Sequence, residues 1–351
     1  MMKKVVAVLF GGKSSEYEIS LMSASSIIKN LDRGKYDVIN IGIGKEGGWF
    51  RYHGDLENIL DDTWYQDKCS RLLINPSGEG AAIMEIRDKD LVPLKIDIVF
   101  PALHGRYGED GAIQGLLELL DIPYVGCNQV SSAICMDKDY AHRLVEHAGI
   151  RVPQSLLIQG NFSREDVDEF LDKVGLPIYV KPVNEGSSIG ITKAKTHKEV
   201  FEGIEEAFKY DNKVILEENI DGFEVACAII GNKELLVGSL GELELADEGF
   251  LDYDEKYNTK KLRIHIPARL DDSLNKRVIE TAKDIYRILG CSGLARIDMF
   301  IDKDKNIIFN EANTMPGFTA NSLFPSMFLH SNIQYMDILD RLIELEIGEG
   351  R

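Results

Sequence analysis

Apolar residues recur along this chain with two periods, and the alternation between them predicts an α/β protein. The continuous apolar runs Val5–Phe10, Tyr36–Ile43 and Ile96–Ala102 have the length of buried strands, and Trp49–Tyr52 reads as a shorter one. Ser15, with Glu18 three residues on, forms a capping-box pattern that starts a helix running to about Asn30. Ile113–Leu120 carries apolar residues at helical spacing after the glycine-rich stretch His104–Gly111. Strands alternating with helices predict a parallel sheet for roughly the first 125 residues.

The next stretch mixes the two periods more closely. A helix over Lys138–Ala148 is stopped by Gly149 and Pro153. A strand (Gln154–Ile158), a helix (Arg164–Val174), a strand (Pro177–Lys181), a glycine-serine loop and a strand (Ile189–Lys193) follow. The helix Lys198–Phe208 and the strand Lys213–Glu217 close this unit. From Glu224 the pattern is strand-rich, with a polar, aromatic excursion at Glu248–Lys261. An amphipathic helix, Asp272–Leu289, precedes the hairpin Leu294–Ile301 and Ile307–Ala312, and a last helix covers about Ile333–Ile347. Three continuous units result, at residues 1–126, 127–217 and 218–351, with 248–261 as a loop of the third.

Composition narrows the class. The 351 residues carry 40 Lys+Arg against 58 Asp+Glu, a formal net charge of −18. That excludes a general nucleic-acid binder, which needs a basic face to displace phosphate counterions. Hydrophobic residues at 44% and charged residues at 28% suit a globular enzyme. The five cysteines are scattered, odd in number and without CxxC spacing, so neither a disulfide framework nor a thiolate zinc site is indicated. No apolar run approaches the roughly 20 residues of a membrane span. The expectation is a cytoplasmic protein with reduced thiols, and the sequon Asn161-Phe162-Ser163 reads as chance.

Two phosphate-loop look-alikes fail on context. Gly42-Ile43-Gly44-Lys45-Glu46-Gly47 fits GxGxxG, but a strand follows where the fingerprint needs a helix N-terminus, so it reads as a hairpin turn. Gly12-Lys13-Ser14 resembles the end of a Walker A loop, but Ala7 stands inside a strand where the first glycine belongs.

The chemistry concentrates in the hairpin Ala295-Arg296-Ile297-Asp298 and Asn310-Glu311-Ala312-Asn313. Alternation along a strand puts Arg296 and Asp298 on one face, and Glu311 and Asn313 on one face of its partner. A turn near Asp304 sets the pairs side by side. Two carboxylates and an amide oxygen form a hard, oxygen-only set suited to Mg²⁺ bridging phosphates. Taken alone, the carboxylates read as a solvated polar face with a cross-strand salt bridge; the turn Thr314-Met315-Pro316-Gly317-Phe318 after them favours a catalytic loop. Lys181 opens a small-residue loop containing Ser187 and Ser188, which reads equally as a phosphate cradle or a flexible hairpin. Lys138 is a second phosphate candidate, or a lysine at a helix start. Glu217-Glu218-Asn219-Ile220 could present backbone groups to an adenine edge, with Glu224 beyond for ribose hydroxyls, or form an acidic surface turn.

Together these segments resemble an ATP-grasp enzyme of the D-alanine–D-alanine ligase family, over nearly the whole chain. The resemblance rests on Phe10-Gly11-Gly12-Lys13-Ser14-Ser15-Glu16, on Leu103-His104-Gly105 with Gly108-Glu109-Asp110-Gly111, and on Met136-Asp137-Lys138. It extends to Lys181-Pro182 with Glu185-Gly186-Ser187-Ser188, Tyr253, Glu255-Lys256-Tyr257, Arg296-Ile297-Asp298 and Asn310–Gly317. It implies three α/β domains with ATP held between the second and third, and a homodimer. By the same resemblance Lys138, Lys181 and Ser188 contact ATP phosphates, and Glu217, Glu218 and Ile220 hold adenine. Glu224 takes the ribose, while Asp298, Glu311 and Asn313 bind two Mg²⁺ (or Mn²⁺). Glu16 meets the ammonium of the first D-alanine with His104 nearby. Lys256 and Tyr257 sit on a lid, Tyr257 linked to Ser187 and Glu16. Arg296 and the Gly317 N–H stabilise a tetrahedral oxyanion, and Ser322 and Leu323 line the second amino-acid subsite. The implied product is D-alanyl-D-alanine, a peptidoglycan precursor. One departure, Leu251 where alanine ligases often carry an aromatic on the lid, bears on lid packing and not on the reaction class. The stretch also resembles D-alanine–D-serine ligases of vancomycin-resistance type, the alternative reading, which typically place arginine at the position of Leu323.

Overall fold

The computed structural model describes residues 3–66, 68–77, 80–186, 189–245 and 262–349. Ser187, Ser188, Leu251, Tyr253, Lys256 and Tyr257, with the whole 248–261 loop, lie outside the described residues. The first sheet is built around β1 (Lys4–Gly11), fully buried from Val6 to Phe10. A strand covered on both faces suits a parallel neighbourhood. After α1 (Tyr17–Asn30), β2 (Tyr36–Ile43) pairs with β1 in parallel. The chain then folds back through β3 (Trp49–Tyr52), the short α2 (Leu56–Leu60), β4 (Cys69–Ile74), β5 (Ile83–Arg87) and β6 (Asp90–Pro93) before β7 (Ile98–Pro101) pairs in parallel with β1. The order is β6-β5-β4-β3-β2-β1-β7.

The expected parallel sheet is therefore parallel only across β2-β1-β7; β3 to β6 extend it as an antiparallel meander. These added strands bury one face at most, so their apolar runs are too broken to stand out in sequence. The GxGxxG look-alike is the β2–β3 hairpin turn, closed by Gly44 N–H on Gly48 O at 2.9 Å. The expected Ser15–Glu18 capping box does not form. Helix α1 begins at Tyr17 with Glu16 at the N-cap and no side-chain cap bond, because Ser14 Oγ accepts the Glu16 N–H at 3.1 Å.

After α3 (Ala112–Leu119), two short helices lead into the second sheet: α4 (Gln129–Met136), capped by Asn128, and α5 (Lys138–His147), capped by Asp137. The second unit runs β8 (Ser155–Gln159), α6 (Arg164–Val174), β9 (Ile178–Pro182), β10 (Thr192–Ala194), α7 (His197–Ala207) and β11 (Lys213–Glu218). Its sheet, β10-β9-β11-β8, is antiparallel and buries Ile178, Val180, Val214 and Leu216 against Val167, Val200 and Ile204. Ser163 of the sequon caps α6, accepting from Glu165 and Asp166 N–H.

The third unit contains β12 (Gly222–Ile230), β13 (Leu236–Val237), β14 (Gly241–Leu245), β15 (Leu262–His265), α8 (Asp272–Ile288), β16 (Leu294–Asp302), β17 (Ile307–Asn313), α9 (Leu323–His330) and α10 (Tyr335–Glu349). One face of β12 and β16 packs Val225, Cys227, Ile229, Ile297 and Met299 against Val278, Ala282 and Ile285 of α8. The other face joins a core shared with the first sheet. Ala226, Ala228 and Leu294 belong to the same apolar cluster as Val6, Val8 and Phe100, with Phe318, Phe324 and α10 between them.

Phe318 is the keystone of that shared core. It is fully buried, its ring lies 5.7 Å from Phe100, 5.5 Å from Phe324 and 6.0 Å from Tyr335, and its carbonyl accepts the Tyr335 hydroxyl. Truncating such a ring removes its transfer free energy and leaves a cavity, so Phe318→Ala should lower the unfolding free energy by about 3–5 kcal/mol. Urea titration checks this; a loss below about 1 kcal/mol would show that the site collapses around the smaller side chain.

Candidate active site

The three units face a cleft of about 1710 Å³, lined by every sequence-predicted site residue that the structure describes. The hairpin reading holds in its register: Arg296 stands opposite Asn313 and Asp298 opposite Glu311, with a β-bulge between Asp298 and Met299. The salt bridge, however, runs along one strand rather than across two. Arg296 Nε lies 2.8 Å from Asp298 Oδ1, and its Nη2 lies 2.7 Å from Oδ2. Asn313 Nδ2 donates across the ladder to Asp298 Oδ2 at 3.0 Å. Burial works against the Arg296 cation, but Asp298, Glu311 and Glu224 outweigh it and hold the guanidinium firmly charged. Glu224 Oε1 accepts from Asn310 Nδ2 at 3.2 Å.

The second sheet presents the lysines. Lys181 on β9 is buried and donates to Glu217 Oε2 at 2.6 Å. Burial alone would lower the lysine's pKa, but the Glu217 carboxylate reverses this and raises it. Lys138, first residue of α5, donates to Glu185 O at 2.8 Å and lies 3.8 Å from Glu311 Oε2. Glu218 ends β11 and accepts the Gln154 N–H at 2.9 Å, leaving Ile220 in the loop that follows at the cleft wall.

The first sheet contributes an acidic end. Gly105 (φ +65°) lets Glu16 approach so closely that a Cβ there would lie 2.5 Å from Glu16 Oε2. Glu109, to which the sequence assigned no role, accepts from Gly105 N–H and Met315 N–H, both at 2.9 Å. Burial and the nearby Glu16 charge push its carboxyl up to about 8, against the pull of those two N–H groups and Arg296. Burial and Glu16 also raise Glu185. Such a carboxyl cluster favours a bound cation. His104 is buried and neutral, its pKa lowered by burial. Its partners set the tautomer: Nδ1–H donates to Met315 O at 2.9 Å, Ser23 Oγ lies 2.8 Å from Nε2, and Ser23 Oγ accepts the Phe318 N–H at 3.2 Å. His104 and Glu109 thus grip both backbone polar groups of Met315, just before Gly317. Ser322 is the N-cap residue of α9, its Oγ accepting the Thr319 N–H at 3.1 Å, and Leu323 opens that helix at the cleft wall.

Among the described residues no group of three or more His, Cys, Asp or Glu side chains could enclose a metal ion. The hairpin instead offers Asp298, Glu311 and the Asn313 amide oxygen. A partial oxygen set of this kind fits Mg²⁺ that arrives with phosphates and takes its remaining ligands from them and from water.

A buried lysine pair faces a carboxylate hairpin across the cleft, and the comparisons give the class, an ATP-dependent ligase. Residues 5–127 match the family model for the D-ala D-ala ligase N-terminus, and residues 144–344 that for the C-terminus. The chain belongs to the D-alanine–D-alanine ligase family. It is 44% identical to the D-alanine–D-alanine ligase of Caldicellulosiruptor bescii, over 100% of this chain and 97% of that one. It is 42% identical to the vancomycin C-type resistance protein VanC1 of Enterococcus gallinarum, over 99% and 100%. The crystal structure of the VanG D-Ala:D-Ser ligase of Enterococcus faecalis superposes with a TM-score of 0.89 at 46% identity, over 98% of this chain and 100% of that one.

The clasp on Met315 generates a pH prediction. The folded state holds the Glu109 proton up to about 8, whereas the unfolded chain releases it in the ordinary carboxylate range. Between those limits the folded state binds more protons, so this group's contribution to stability declines as pH rises from about 4.5 to about 8. In Glu109→Gln that decline is absent, so the stability difference should move in the variant's favour from pH 5 to pH 8. Urea midpoints of both proteins across that window check it; a pH-independent difference would refute the assignment.

Proposed function

We propose that this enzyme joins two D-alanines, using ATP, to form D-alanyl-D-alanine for peptidoglycan precursor synthesis. The observation that carries this reading is the order of charges along one cleft. A carboxyl cluster at Glu16, Glu109 and Glu185 suits the ammonium of the first amino acid. Lys138 and Lys181 suit phosphates. The Glu217–Ile220 segment, with Glu218, suits adenine, and Glu224 suits the ribose. In the first step the D-alanine carboxylate oxygen attacks the γ-phosphorus, giving an acyl phosphate and ADP. In the second the amine of the other D-alanine attacks the acyl carbon and expels phosphate. Arg296 and the Gly317 N–H offset the negative charge that develops on the carbonyl oxygen. Asp298, Glu311 and Asn313 hold two Mg²⁺, which supply charge neutralisation on the transferring phosphate. The family resemblance assigns Lys256 and Tyr257 to a lid, with Tyr257 linked to Ser187 and Glu16, and water must be kept from the acyl phosphate. A cytoplasmic homodimer accompanies this reading, checked by fractionation and sedimentation.

Replacing a hard metal ligand should cost several kcal/mol in the transition state, so Glu311→Gln should lower kcat/KM at saturating Mg²⁺ by at least about 100-fold. A variant matching the parent would remove Glu311 from the metal site.

A D-alanine–D-serine ligase is the second reading, favoured by the 46% identity to the VanG D-Ala:D-Ser ligase. Leu323 separates the two. An apolar side chain at the second subsite gives a serine hydroxyl no partner, yet such a pocket rejects an added hydroxyl only by about 100-fold. D-Serine should therefore be a poor but detectable second substrate, and D-lactate should fail. Phosphate release with each D-amino acid alone and in pairs, followed by competition between D-alanine and D-serine with product quantification, tests this. Equal or preferred D-serine incorporation would install the second reading.

A further inference from the structure

Beneath the lysine-carboxylate pair of the nucleotide site lies a histidine to which neither the sequence reading nor the mechanism above gives a task. His142 sits on α5 and is only 3% exposed. Its Nε2 lies 2.7 Å from Asn310 O on β17. A carbonyl can only accept, so Nε2 carries a hydrogen and the ring's orientation is fixed. The edge of the ring also packs on Phe309, centroids 5.7 Å apart at 76°. The other nitrogen, Nδ1, faces Glu217 Oε1 at 3.8 Å, and among the described residues neither atom has a hydrogen-bond partner. Glu217 Oε2 meanwhile takes the Lys181 ammonium at 2.6 Å.

One ring therefore spans two sheets. On one side it is tied to the strand that carries Glu311; on the other it stands against the carboxylate that holds Lys181. We propose that His142 is a positioning residue for the nucleotide, fixing the Glu217 carboxylate and, through it, the Lys181 ammonium relative to β17. The geometry gives the reason for a histidine here. The site requires a rigid donor toward the Asn310 carbonyl and, at the opposite end of the same group, a polar atom packed against the Glu217 carboxylate. An aliphatic side chain of similar size provides neither. Without the ring, Lys181 alone restrains Glu217, and the pair is free to reorient as one unit away from the phosphates. The attraction of His142 also helps Lys181 keep Glu217 ionised against the burial that would raise its pKa.

This inference rests on the ATP reading above, and the test separates the two. Binding of ATPγS, a slowly hydrolysed analogue, is measured by calorimetry beside steady-state kinetics. His142→Phe should weaken ATPγS binding and raise the KM for ATP by about tenfold, while the KM for D-alanine stays within about twofold of the parent. His142→Gln, which keeps amide donors, should recover most of that loss. Because the effect runs through the carboxylate, His142→Phe should weaken binding by less than about twofold more when added to Glu217→Gln. Unchanged ATPγS binding in folded His142→Phe overturns the proposal. So does an equal loss in both backgrounds, or a fall in all parameters together that His142→Gln does not restore. Failure of the parent itself to bind ATPγS would overturn the ATP reading, and this proposal with it.

Discussion

The cleft depends on how five residues, Thr314 to Phe318, are held between the first and third units. Met315 has both backbone polar groups engaged by side chains from another domain, its N–H by Glu109 and its C=O by His104. Phe318 N–H reaches Ser23, and its ring closes the core shared by the two sheets. A loop held this way has little freedom to drift, because moving it would leave several buried polar groups without partners at once. Gly317 therefore has a defined place in the cleft wall, and the end of β17 is tied to the first unit through Met315. The cleft is preorganised by a clasp of buried polar side chains from the first unit.

The charge distribution then follows from burial. A chain of net charge −18 nevertheless places Lys138, Lys181 and Arg296 together, each with a carboxylate close by. Glu217 keeps Lys181 charged and Asp298 keeps Arg296 charged inside protein, where burial alone would disfavour both cations. Glu109 and Glu185 are raised by burial and by the neighbouring Glu16 charge, against the pull of Arg296 on the first and of Lys138 and Arg106 on the second. Cations and raised carboxyls thus share one cleft wall, with Lys138 donating to the Glu185 carbonyl at 2.8 Å.

Much of this was legible in the amino-acid order. Strand alternation alone put Arg296 with Asp298 and Glu311 with Asn313, and the register confirms both pairings. Helix Arg164–Val174 and strands Tyr36–Ile43 and Trp49–Tyr52 begin and end where the pattern predicts. What escaped has a common physical cause. The strands β4 to β6 are half-exposed hairpins whose apolar residues do not form a run. Glu109, Ser23 and His142 act through partners distant in sequence, at Met315, Phe318 and Asn310, and no local pattern encodes such a contact. Glu109 did stand in the Gly108–Gly111 motif, so its presence was visible although its task was not.

The shared core also constrains the order in which the protein can be made. Ile98 and Phe100 of β7, and Ile27 of α1, are covered in part by Ile338, Leu339, Leu342 and Ile343 of α10. During synthesis the first sheet leaves the ribosome long before that helix exists, so an apolar face of the nascent chain stays wet until residues 335–349 emerge. The N-terminal unit therefore has its full apolar cover only once residues 335–349 have been made.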